Sequence, residues 1–133
     1  MRHLFACLFL LALTNASSIA ELPPSAYEKM QSAATEVFRV KILRVDETLA
    51  HDPGIKDVAL LAQVLKVGRS KTKVKPDDLI TIKYRITTHP AGWVGPGEVP
   101  LLKEDAETVA YLQPIAGTAD YAPAAGVMSF DQF

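Results

Sequence analysis

The sequence predicts a mainly β domain: a short N-terminal helix, then about five strands in an antiparallel sheet, closed or half closed into a small barrel or sandwich. Three observations carry this. Apolar residues recur at every second position in several segments. Joins rich in glycine and proline separate those segments. No βαβ unit repeats along the chain.

The domain begins after a leader. "MRHLFACLFLLALTNASSIA" has a basic start at Arg2, an apolar run from Leu4 to Leu13, and small residues ending at Ala20. That is the layout of a cleavable secretory signal over residues 1–20, and its apolar run is too short to span a bilayer as a helix. Residues 21–133 then form a single β domain, with no membrane span after cleavage. The only cysteine, Cys7, lies in the leader, so an exported domain must rest on packing instead of disulfides. A periplasmic or secreted location in a bacterial envelope follows as the expectation. Of 14 basic residues, Arg2 leaves with the leader, so 13 face 15 acids. That balance does not describe a general nucleic-acid binder.

Each element has its own signal. In "LPPSAYEKMQSAATEVF", Ser25 and Glu28 have capping-box spacing, which predicts a helix from about Ala26 to Ala33 with Tyr27, Met30 and Ala34 on one side. In "EVFRVKILRVDE" the period falls to two, with Phe38, Val40 and Ile42 opposite Arg39, Lys41 and Leu43. Asp52-Pro53-Gly54 marks a turn. "DVALLAQVLKV" is apolar on both faces; its valines favour a central strand over a helix. "DLITIKYRITT" alternates most cleanly. "HPAGWVGPGEVP" reads as a long irregular loop, "AETVAYLQP" as a fourth strand, "IAGTADYAPAAG" as another loop and "VMSFDQF" as a short fifth strand.

The run "AYEKMQSAATEVFRVKILRVD", "ALLAQVLKVGRS", "DLITIKYR", a Gly/Pro loop, "ETVAYLQP" and "YAPAAGVMSF" resembles, in order and spacing, bacterial exported proteins with a tissue-inhibitor-of-metalloproteinase-like or netrin-like module. The resemblance covers most of residues 21–133 and rests on strand and turn patterns. It implies a five-stranded OB-like barrel, and it names inhibition of an envelope metalloprotease as one activity. The chain departs from the pattern in having Arg39 where a small glycine is common, Thr108-Val109-Ala110 in place of the usual wording, and no cysteine after the leader.

No catalytic residues, cofactor or metal ligands are expected. The serines past the leader (Ser25, Ser32, Ser70 and Ser129) lie in no nucleophile elbow. His51 and His89 sit in predicted loops; with Asp52 they are the one weak alternative for a metal-binding protein or small enzyme, if the loops converge. The paired acids fall where strands start or stop, where charge keeps edges soluble.

What remains is binding. Trp93, the only tryptophan, lies in the Gly/Pro loop with His89. It either plugs the barrel mouth, the favoured reading, or is displayed to a partner together with His89. Arg69, Lys71, Lys73 and Lys75 occupy alternate positions. If extended they would share one face, either as a solvated hairpin tip or as a contact for anionic lipid or polysaccharide. The expected function is a non-enzymatic exported binding module with an envelope or extracellular protein as partner and no nucleic acid.

Overall fold

The computed structural model describes residues 22–89, 91–93 and 97–131. The proposed leader lies outside the described residues. Helix α1 spans Pro24–Ala33. Six strands follow: β1 Glu36–Leu49, β2 Ile55–Ser70, β3 Leu79–Thr87, β4 Glu107–Pro114, β5 Tyr121–Pro123 and β6 Phe130–Asp131. A short 3₁₀ turn, Gly126–Met128, precedes β6.

The first five strands close into an OB-like barrel in the order β1-β2-β3-β5-β4, with β4 pairing back onto β1. The expectation of a wholly antiparallel sheet needs correction. Neighbouring β3 and β5 run parallel, with Ile82 opposite Tyr121, whereas the other barrel pairs are antiparallel. The reason is parity. Strand direction cannot alternate all the way round a closed ring with an odd number of members, so at least one pair must be parallel. The closing strand was also unreadable locally. Tyr121–Pro123 lies within the segment expected to be a loop, and a strand of three residues has no room for a period. The expected strand in "VMSFDQF" is reduced to Phe130–Asp131, paired with Val109 and Ala110 outside the barrel ring; residues 132–133 lie outside the described residues.

The period-two reading places the core correctly. Phe38, Val40 and Ile42 from β1 meet Val58, Leu60, Ala62 and Val64 from β2 and Ile80 and Ile82 from β3, all buried. β4 contributes Ala110 and Leu112 and turns Val109 and Tyr111 outward. Phe38 packs edge-on against Tyr121, ring centroids 6.1 Å apart, tying the short closing strand to the middle of the core. Register shifts along β1, including one between Ile42 and Arg44, bend the long strand so that its first half pairs with both β2 and β4 and its second half continues the β1–β2 hairpin, whose β2 strand is covered on its other edge by β3. Gly54 takes the φ of +84° that the turn of this hairpin requires.

Helix α1 starts two residues earlier than the capping box implies. Pro24 occupies the first helical position, and no side chain caps the end. Proline is preorganised for that position and lacks the amide that would need a cap, so Ser25 falls inside the helix. Tyr27 and Ala34 are buried as expected, with Met30 half-buried. Among the described residues, no helix is long and apolar enough to cross a membrane.

Candidate functional site

The two barrel ends are closed by different chemistry. At the end nearest α1 the stopper is polar. Glu36 opens β1 and is completely buried. Its carboxylate accepts hydrogen bonds from Ser70 Oγ at 2.7 Å, from the backbone amides of Lys71 and Thr72 at 3.0 Å each, and from Thr72 Oγ1 at 3.1 Å. Thr72 Oγ1 shares a further 2.7 Å bond with the Tyr121 hydroxyl. A buried carboxylate is tolerable only with such a set of donors. No motif drew attention to Glu36. A lone acid ahead of an alternating apolar strand was the only available signal.

This arrangement decides what the basic comb becomes. The chain does not stay extended through Lys75. After Ser70 it bends over the barrel end, with Lys73 at φ +63° and Val74 packed on the core, and the Asp77 amide returns to the Val64 carbonyl at 2.7 Å. The four basic side chains therefore do not share one face. Lys71, Lys73 and Lys75 are exposed on the cap. Arg69 is still in β2, opposite Val37, and donates to the Gln31 carbonyl of α1 at 2.8 Å.

At the other end the stopper is apolar, and it is not Trp93. Leu102 enters the core, flanked by Val99 and Ala106, and is 3% exposed. The Tyr84 hydroxyl donates to the Pro100 carbonyl at 2.9 Å, and Asp105 and Ala106 pair with Ile42. Burial holds the Tyr84 phenol protonated, pushing its pKa up to about 12; the nearby Glu47 charge adds to this and the Leu102 backbone opposes it.

Trp93 is instead displayed, 52% exposed, which overturns the favoured plug reading. Its indole lies flat on the His89 imidazole, centroids 4.2 Å apart and planes 7° from parallel. His89 Nε2 meets Glu98 Oε1 at 2.7 Å, so the two sides of the Gly/Pro loop are clipped together beneath the tryptophan. The neighbouring hairpin turn is tied in through the Thr88 amide, which donates to the Gly54 carbonyl at 2.7 Å. His51 and Asp52 sit exposed on that turn. The loops do converge in this sense, yet among the described residues no group of three or more His, Cys, Asp or Glu could hold a metal ion.

A third surface lies on the outer wall of the β1–β3 sheet, an open depression lined by Asp46, Asp57, Lys83 and Arg85. Its charges are matched: Arg85 meets Asp57 at 2.7 Å, Arg44 meets Asp46 at 2.9 Å and Lys83 meets Asp120 at 2.9 Å. The displayed His89–Trp93 pair is therefore the arrangement best suited to contact. The chain matches no protein-family profile, and no characterised protein or solved structure is similar to it.

Proposed function

We propose that this protein is an exported, non-enzymatic binding module of the cell envelope whose contact surface is the loop between β3 and β4, centred on Trp93. One observation carries the reading. The single tryptophan is held in water by a flat stack on His89 while a leucine from the same loop fills the core. An aromatic side chain immobilised before contact gives up little conformational freedom on binding, and tryptophan is the residue most enriched among energetic anchors of interfaces. The Glu98 clip on His89 supports the platform from below. The partner is a protein, and an envelope metalloprotease is the class named by the resemblance to inhibitor-like modules.

Affinity capture from envelope extract tests this with three baits: wild type, Trp93→Ala, and the triple variant in which Lys71, Lys73 and Lys75 become alanine. The reading expects one protein retained by wild type and by the lysine variant, and lost with Trp93→Ala. A wild-type bait that retains nothing, or a partner indifferent to Trp93→Ala, overturns it. A metalloprotease panel run with the same proteins asks whether the partner is inhibited.

A further inference from the structure

The outer edge of β1 is open past the barrel ring. β4 covers that edge from Glu36 to Lys41. The last bonds on it are made at Ile42, whose amide donates to the Ala106 carbonyl at 2.9 Å and whose carbonyl accepts from the Asp105 amide at 2.7 Å. Beyond Ile42 the strand runs on to Leu49 with only β2 beside it. The Ala50 amide donates to the Ile55 carbonyl of the β2 strand at 3.0 Å. Antiparallel ladders alternate, so Thr48, Asp46 and Arg44 also turn their backbone groups to β2, while Val45, Glu47 and Leu49 turn theirs outward. Among the described residues, no backbone hydrogen bond meets those three from outside. Open edges are usually guarded by proline, lysine, a bulge or a cover. Residues 43–49 contain neither proline nor lysine, and the register is regular from Arg44 onward.

We propose that this edge pairs with the same edge of a second copy of the chain, antiparallel about a two-fold axis at Val45, joining the two sheets into one. The order of charges selects that register. Facing residues share a sheet face, so symmetric pairing sets one residue opposite itself. Centred on Arg44, Asp46 or Glu47, it would bring like charges face to face, which repels. Centred on Leu43, it would meet the bonds already made at Ile42; centred on Thr48, it would run into the hairpin turn and match no charges. Centred on Val45, it sets Arg44 opposite the other copy's Asp46, and Asp46 opposite the other copy's Arg44. Within one chain Arg44 Nε already meets Asp46 Oδ2 at 2.9 Å, so the four side chains form a square of alternating sign. On the opposite sheet face Val45 packs on the core and stands in register with Leu60, and Leu60 with Ile82. Val45 against its own symmetry mate carries that apolar row across the axis. The pairing uses only β1 and does not depend on the Trp93 reading.

Sedimentation equilibrium of the purified protein tests this, with Cys7→Ser in every sample so that no native cysteine remains. One strand per copy is a small interface, so a dimer with a Kd on the order of 10–100 μM is expected. Arg44→Asp and Asp46→Arg each set like charges opposite and are expected to weaken the dimer about tenfold or more. The double variant restores the alternating square and regains wild-type association. Both positions are exposed, so the variants keep the fold, and thermal unfolding checks this. Cysteines then read the register. Facing Cα atoms of a hydrogen-bonded antiparallel pair stand about 5.5 Å apart, within disulfide reach. Mild oxidation is expected to give a covalent dimer of Val45→Cys on a non-reducing gel. Glu47→Cys, whose mate would lie four residues further along, gives little. A protein still monomeric at about 1 mM overturns the pairing. So do single charge reversals that leave association unchanged, a double variant as weak as the single ones, or Glu47→Cys crosslinking as fully as Val45→Cys.

Discussion

Thr72 is bonded to Glu36 twice, through its backbone amide at 3.0 Å and its hydroxyl at 3.1 Å, across a separation of 36 residues. That pair turns a stretch of lysines into a barrel cap. The same carboxylate holds Ser70 and the Lys71 amide, so one buried side chain organises the whole bend between β2 and β3.

Glu36→Gln puts an NH₂ group among donors that need an acceptor, and Glu36→Ala removes the acceptor of four part-buried hydrogen bonds. Either change is expected to destabilise the fold by about 2–4 kcal/mol. In thermal unfolding followed by circular dichroism, that is a drop in Tm on the order of 10 °C. A loss under about 0.5 kcal/mol would show that the cap does not depend on Glu36.

The cap's lysines should behave in the opposite way. Lys71, Lys73 and Lys75 are exposed and their side chains take no part in the Glu36 network. Replacing all three with alanine is expected to shift stability by no more than about 0.5 kcal/mol each, whereas Thr72→Ala, which removes two hydroxyl contacts, costs about 1–2 kcal/mol. Urea unfolding of the two variants side by side separates the roles of backbone and charge.

Leu102→Ala empties the apolar end of the barrel and is expected to cost about 2–5 kcal/mol. Trp93→Ala should cost under about 1 kcal/mol, since the ring is half in water. In wild type the sole tryptophan should also be readily quenched by acrylamide. A reversed order of the two stability losses would restore Trp93 as the plug.

Tyr84 supplies a prediction at high pH. Burial raises its pKa from 10.0 to about 12, so the folded state keeps a phenolic proton that the unfolded chain gives up earlier. Its contribution to stability is complete below pH 10 and is lost as pH climbs through about 12. Ultraviolet titration should show a late ionisation step near the upper value that disappears in Tyr84→Phe. A wild-type titration with no such step would show the phenol to be hydrated.

Much of the fold was legible because alternation is a local signal. Phe38, Val40, Ile42, Ile80 and Ile82 declare their common face without any knowledge of their partners. The closing strand was illegible because Tyr121–Pro123 has no period of its own and pairs only because β3 and β4 already stand on either side. At the candidate site, His89 and Trp93 were marked by composition, but their stacking and the choice of Leu102 as stopper depend on how the loop folds back. Glu36 carried no motif, only its place ahead of an alternating apolar strand.

Sequence alone therefore determined that this chain makes strands, which side chains those strands bury, and which loop carries the unusual aromatic residue. Those properties follow from side-chain period and turn chemistry over a few neighbours. Only the tertiary structure decided that one barrel pair runs parallel and that a lone glutamate caps one end. These are properties of register and closure, set by the requirement that every buried backbone group and charge find a partner from a distant part of the chain.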